Sequence, residues 1–555
     1  MLAAVRVDRP QAGHSLEPEP QVVSKRDLTM AFSGLLLAML LSSLDQVIFG
    51  TALPTIVGDL GGVNHMLWVT TAYILAATIM MPIYGKLGDL VGHKPLFIGA
   101  LALFLTGSVL GGIATNMTGL IAARAVQGLG GGGLMILSQA IIADIVPPRQ
   151  RGKYMGIIGS VFGVSSVLGP LLGGWFTDGI GWRWAFWFNV PLGLLAITAA
   201  AVFLKMPADD RARPRLDIAG MVTMVAAVTS FVLFTSWAGT QYDWSSPMIL
   251  GLIAASIVAG IAFVFAERQA EEPLIPLRLF RDRNFDMATV GGLIIAIAMF
   301  GAIAYMPSYL QMVTGLSATK AALLLVSMTA GIMATALSTG ALATRTGRYK
   351  WMPIASCLVV AFGLFLLSSL TVSSSLWTVG LYLFVFGAGI GLGMQILVLI
   401  VQNSFPITEV GTATGANNFF REIGASLGSA VVGTLFTNRL MSLLADGLNS
   451  LPGQASGAGG FDKDSITPAL VHRLPAAIKD VVVSAYNEAL TPIFLYLLPL
   501  MLLGAVLLLF VREKPLAVTN RASEGGLSAS AEECERDTPS VSLPVSAETS
   551  FGDAV

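Results

Sequence analysis

Charge is scarce in this sequence. Only 12% of its 555 residues are Asp, Glu, Lys or Arg, about half the roughly 25% usual in a soluble globular chain. With 54% hydrophobic residues, that deficit excludes an ordinary water-soluble fold and places the chain among polytopic membrane proteins. The net charge of −1 leaves no basic surface for a nucleic acid. Two cysteines, Cys357 in an apolar span and Cys534 in a polar tail, make no disulfide framework. With only four histidines there is no metal-ligand spacing either. The glycine run GLGGGG, ending at Gly133, lies within an apolar span and lacks the Lys-Ser/Thr of a phosphate loop. No paired Ser/His/Asp arrangement is evident. The chain is therefore read as neither enzyme nor ATPase. No catalytic residue, metal or cofactor is expected, and any work it does draws on an ion gradient. The polar first 27 residues contain no signal-peptide core, so the first apolar span is expected to remain as an anchor.

What is abundant is apolar runs of membrane-crossing length. About 20 residues at about 1.5 Å each cross the hydrocarbon core. Fourteen such runs are read, near 28–52, 66–85, 95–115, 117–143, 154–176, 184–204, 216–237, 247–267, 287–310, 320–343, 351–370, 377–401, 411–437 and 490–511. The expected fold is thus an all-α polytopic membrane protein with 14 transmembrane helices. Charge placement orients it. Six of the 32 Lys and Arg (Arg183, Lys320, Arg439, Lys463, Arg473 and Lys479) fall in outer loops if the N-terminus is inside. Arg124 and Arg421 fall within spans, and the remaining 24 are cytoplasmic. Such a bias supports cytoplasmic N- and C-termini.

A repeat divides the spans. GKLGDLVGHKPLFIGA starts at Gly85 after the second span, and GALATRTGRYKWMPIA starts at Gly340 after the tenth. In each, two glycines seven apart precede basic residues, Lys94 among them. If spans seven and eight are an insertion, both copies follow the second helix of a six-helix half, as in transporters built from parallel repeats. The expected division is a cytoplasmic segment 1–27, a first half 28–204, two linking helices with their loops 205–286, a second half 287–511 and a disordered cytoplasmic tail 512–555. The second half carries an outer loop, 438–489. Within that loop, LPAAIKDVVVSAYNEAL is amphipathic and reads as helical. The loop is also a candidate docking surface for a periplasmic or surface partner.

The few charges inside spans are the candidate functional residues, because an ionisable group at that depth costs on the order of 2.5–3.5 kcal/mol even on lenient scales. Asp45 lies about six residues from the outer end of the first span, and Arg124 about seven from the outer end of the fourth. At about 1.5 Å per residue they share a depth, so they are expected to approach each other across a central cavity. Burial favours a protonated carboxyl and a nearby guanidinium favours an ionised one, which suits a proton switch; the alternative is a static ion pair that fixes packing. Glu422, beside Arg421, is expected deeper toward the cytoplasm, as a proton or cation site or as a polar packing residue. Tyr305, Gln395 and Asn417 are candidate substrate contacts together with Asp45 and Glu422, since a cavity for lipophilic cations combines aromatic surface with few polar anchors. Tyr309 is expected at the outer interface. Gly85 and Gly92 would permit a tight connection, and Asp89 can meet a helix N-terminus, forming a latch or a plain turn. Gly163, Gly169, Gly173 and Gly174 repeat at helix-packing spacing, and Pro170 favours a kink.

Several of these motifs carry a specific resemblance. GKLGDLVGHKP is similar to the loop 2–3 signature of the major facilitator superfamily. LIAARAVQGLGGGG (120–133) resembles its fourth-helix signature and GVSSVLGPLLGG (163–174) its antiporter signature. LDQVIFGTALPTIVGDL (44–60), WRWAFWFNVPLG (182–193) and NNFFREIGASLG (417–428) resemble the 14-helix drug:proton antiporters, the EmrB/QacA branch. The resemblance covers roughly residues 28–511. It implies two six-helix halves plus two linking helices in the cell membrane. It also implies gating roles for the loop and span-five motifs, and export of a lipophilic or cationic small molecule against protons. A dedicated exporter of one endogenous product is the alternative; an importer fits the span-five signature less well.

Overall fold

The structure is a computed structural model, and it describes residues 25–61, 65–204, 216–239, 241–449, 471 and 475–517. Among these, fourteen helices are long and apolar enough to cross a membrane. They are α1 Lys25–Leu60, α2 Met66–Val91, α3 His93–Gly112, α4 Met117–Ile145, α5 Pro148–Trp175, α6 Trp184–Phe203 and α7 Ile218–Trp237. There follow α8 Pro247–Gln269, α9 Arg283–Val313, α10 Ala318–Thr346, α11 Trp351–Ser368, α12 Leu376–Gln402, α13 Val410–Asn449 and α14 Ala476–Leu509. A helix satisfies its own backbone, the requirement for crossing hydrocarbon. Its free N-terminal groups need caps, which Asn116, Asp217, Ser246, Asp282, Ser317 and Ser375 supply. The face on which α1 begins and α14 ends is called the lower face below.

Helix pairing recurs eight helices along the chain. The contacts α1–α5, α2–α4, α3–α4 and α3–α6 return as α9–α13, α10–α12, α11–α12 and α11–α14. The two sets of six meet at α2–α13 and, by the same rule, at α10–α5. Helices α7 and α8 stand outside the repeat. Helix α7 lies against both α2 and α13, while α8 packs on α7 with Ile257, Val258, Ile261 and Phe265 exposed.

Several elements depart from expectation. Residues 438–449, expected as loop, continue α13; residues 476–489, expected as a helical stretch within the outer loop, are helical but continuous with α14. The amphipathic stretch is therefore the upper end of the last helix, its apolar side buried through Val482, Val483 and Tyr486. Gly85 and Gly340 are inside α2 and α10 rather than in loops; the positive-φ turns belong to Gly92 (φ 98°) and Gly347 (φ 71°). The first residues of the tail are held against the helices: Tyr349 N–H donates to Glu513 Oε1 at 2.7 Å, and Arg512 pairs with Asn284 through two hydrogen bonds. Arg149 N–H, at the start of α5, then reaches Ala517 O at 3.0 Å. The N-terminal segment 1–24, the basic stretch 205–215, the loop residues 450–470 and the tail beyond 517 lie outside the described residues.

Candidate functional site

The charged pair in the first set of helices is assembled from five of them. Arg124 Nη1 of α4 donates to Asp45 Oδ2 of α1. Gln127, one turn from Arg124, donates to Asp45 Oδ1 at 2.8 Å and to Ser108 Oγ of α3 at 2.8 Å. Asn189 of α6 donates to the same Asp45 oxygen at 3.1 Å. Arg124 also reaches Gln127 Oε1 (2.7 Å) and Val69 O (3.4 Å), and its guanidinium lies between the rings of Phe49 (4.2 Å) and Tyr73 (4.4 Å). Asp45 is 0% exposed and Arg124 1%. A buried pair is tolerable only when its remaining lone pairs and protons are met, and here neutral amides and aromatic faces meet them. Gln127 was legible in the fourth-helix motif and Asn189 lies within the WRWAFWFNVPLG motif; Ser108 and Tyr73 had no signal beyond being polar groups within apolar runs.

A cavity of about 190 Å³ lies between the two sets of helices. Its walls include Ser42 and Gln46 of α1, Tyr73 and Thr78 of α2, Met135 of α4 and Glu422 of α13. Drug-sized ligands need about 300–1,000 Å³, so this conformation is contracted. Asp45 does not line it. The pair meets behind the wall, not across the cavity as expected, with Tyr73 in between. Of the expected substrate contacts, Glu422 alone faces the cavity. Tyr305 sits at the break in α9 and donates to Ser429 O at 3.2 Å. Gln395 is buried against Gly159 of α5, and Asn417 accepts from Thr289 at 3.3 Å. Tyr309 is not interfacial: it is 1% exposed and donates to Asn487 Oδ1 at 2.8 Å. At about 1.5 Å per residue, Glu422 lies roughly 18 Å along α13 from its lower end and Asp45 roughly 30 Å along α1, so Glu422 is the lower of the two.

Below the cavity the two sets of helices are shut. Asp89 of α2 crosses the seam to the first turn of α13, accepting from Gly411 N–H (2.9 Å), Thr412 N–H (2.6 Å) and Thr412 Oγ (2.6 Å). A carboxylate at a helix N-terminus satisfies free donors and the positive end of the dipole. His93 sits between Asp89 (3.4 Å) and Asp144 of α4 (2.7 Å). At the related seam Thr344 stands in for Asp89 and accepts only from Lys153 N–H, at 3.0 Å. Glycines permit both contacts: a Cβ on Gly85 would lie 2.5 Å from Gly411 O, and one on Gly340 2.4 Å from Gly152 O. Gly340→Val should therefore hold the lower face apart, measurable as increased maleimide labelling of a Thr344→Cys side chain in the purified protein.

The other gating candidates divide. Gly163 faces Met333 of α10 across the seam, whereas Gly169 and Gly173 seat Val47 and Thr51 of α1 within the first set. Pro170 lies inside α5, and nothing approaches Gly174 within 4 Å. Lys94 donates to Ala201 O of α6 at 3.0 Å rather than across the seam.

Comparisons with known proteins agree with this arrangement. The sequence profile described as Major Facilitator Superfamily matches residues 35–429. An uncharacterised MFS-type transporter of Mycobacterium tuberculosis is 40% identical over 87% of this chain and 69% of its own. The multidrug transporter protein MdtP of Bacillus subtilis is 36% identical over 90% of this chain and 95% of its own. The efflux pump FUS6 of Gibberella moniliformis is 33% identical over 92% and 93%. The crystal structure of the human organic anion transporter MFSD10 superposes with a TM-score of 0.57 at 17% identity, covering 86% of this chain and 99% of that one.

Proposed function

The chain belongs to the Major Facilitator Superfamily as a multi-pass membrane protein, and from that premise we propose that it exports small lipophilic or cationic compounds in exchange for protons, by alternating access. The observation that carries the reading is the pairing of a sealed carboxylate, Asp45, with a separate carboxylate, Glu422, facing a cavity between the two sets of helices. The first suits a proton and the second a cation. Relatives named as multidrug transporters and efflux pumps support export as the direction.

In this reading the lower face is cytoplasmic, in keeping with its cluster of Arg149, Arg151, Lys153, Arg345, Arg348 and Lys350. The membrane is the cell membrane. The described conformation is closed to the cytoplasm, and opening there separates α2 from α13 and α5 from α10. A proton taken up from outside neutralises Asp45; its release inside resets the pair. Each charge carried inward with the membrane potential contributes about 2.3 kcal/mol per 100 mV. Proton release from acid-loaded everted vesicles on adding a substrate tests exchange. Accumulation with proton uptake in intact cells would instead mark an importer.

Glu422 has its own test. Glu422→Gln should weaken efflux of lipophilic cations about tenfold or more, the equivalent of losing one modest electrostatic contact of about 1.4 kcal/mol, and leave neutral compounds unaffected. Equal loss of both classes in a transport panel would return Glu422 to a packing role.

A further inference from the structure

Exchange requires that proton and substrate exclude each other, yet Asp45 is walled off from the cavity. Tyr73 of α2 touches both compartments. Its ring lies under the Arg124 guanidinium, 4.4 Å from centroid to carbon. Tyr73 also lines the cavity, and its hydroxyl lies 3.0 Å from Ser42 Oγ and is faced by Gln46. Arg124 grips the same helix one turn earlier, at Val69 O. The glycine tract of α4, unexplained by any phosphate chemistry, forms the seat. A Cβ on Gly128 would fall 2.4 Å from Tyr73 O, and one on Gly131 2.3 Å from the Tyr73 hydroxyl.

We propose that Tyr73 is the positioning residue that passes the protonation state of Asp45 to the substrate cavity. The inference rests on Asp45 as the proton site. Charged or titratable groups facing Asp45 among the described residues are Arg124 from α4 and Tyr73 from α2; α3 and α6 present neutral Ser108 and Asn189. A proton bound to the Asp45 carboxylate removes its charge and transfers nothing else. Arg124 then keeps a buried charge with no counter-ion, an unstable arrangement. The supports nearest to it are the faces of Phe49 and Tyr73, and beyond Tyr73 lies the cavity. A shift of Arg124 toward that side moves the Tyr73 ring into a space of about 190 Å³, taking room from any ligand. Proton and substrate thus oppose each other through a wall rather than at one shared carboxylate.

The test is binding of tetraphenylphosphonium to the purified full-length chain in nanodiscs at alkaline and mildly acidic pH. Wild type should bind about fivefold or more weakly in acid, the lower end of ordinary site–site coupling. Asp45→Asn should abolish that difference; its persistence would defeat the proton reading and this inference with it. With the Asp45 result in hand, Tyr73→Leu isolates the second step, because it removes the ring that Arg124 would push. Read as the ratio of its own alkaline and acid affinities, it should lose at least about half of the acid effect. A full acid effect in Tyr73→Leu overturns the inference while leaving Asp45 as the proton site. Gly131→Ala should press on the hydroxyl and weaken alkaline binding about fivefold, and Tyr73→Phe added to it should recover part of the loss. No weakening, or no recovery, also counts against it. If Gly131→Ala does not fold, the Tyr73→Leu result decides alone.

Discussion

Asp45→Asn should abolish proton-driven efflux and destabilise the protein, while Asp45→Asn combined with Arg124→Gln should regain stability without regaining transport. Removing one partner of a buried pair leaves the other charge unmet and costs about 3–5 kcal/mol. Asn retains an oxygen that can accept from Gln127 or Asn189, so the loss should fall at the lower end of that range. The double variant replaces the ion pair with two amides, which can meet each other and the existing network of Gln127, Ser108 and Asn189. Thermal unfolding in detergent and substrate-induced proton release in everted vesicles separate the two effects. A double variant that transports like wild type would make the pair a packing device.

Asp89→Ala should shift the population toward a conformation open at the lower face. It deletes an acceptor of three hydrogen bonds at the first turn of α13. Bonds to a charged group contribute about 1.5–3 kcal/mol each, and about 2.7 kcal/mol already changes a two-state ratio about 100-fold. Efflux should fall steeply because the outward-facing step is starved. Cross-linking between Lys153→Cys and Thr344→Cys, neighbours across the other seam through the Lys153 backbone N–H, should fall in parallel. Asp89→Asn keeps one acceptor, and Asn is itself a good helix cap, so its effect should be much smaller. An Asp89→Ala variant with wild-type cross-linking and efflux would reduce the contact to an ordinary cap.

Apolar runs made the helices legible, because crossing hydrocarbon imposes a length and a composition that a sequence cannot hide. Where the chain leaves the hydrocarbon the rule lapses. The upper end of α13 is polar enough to read as loop, whereas that of α14 keeps an amphipathic period that reads as helix; the two pack on each other, with Arg439 donating to Glu488 O at 3.0 Å. Glycine misled at Gly85 and Gly340 because it signals a turn in water and a close helix contact in a membrane. The depth argument brought Asp45 to Arg124 but could not show which side of α2 the pair would occupy. That depended on Tyr73, an aromatic with no charge to mark it. Gln395 and Asn417 were chosen as polar residues in apolar helices, and the structure uses both in contacts between helices rather than in the cavity wall.

Helix α7 touches α2 on one side of the seam and α13 on the other, with Trp237 against Trp68 and the following turn tied to α13 by Trp244 and Thr434. Its partner α8 meets the surroundings with an almost wholly apolar surface. The described part of the connection between the two sets is thus a pair of helices long and apolar enough to cross a membrane. When α2 and α13 part, the connecting hairpin must be dragged sideways through lipid. The fluidity and thickness of the bilayer then act as a mechanical load on each turnover.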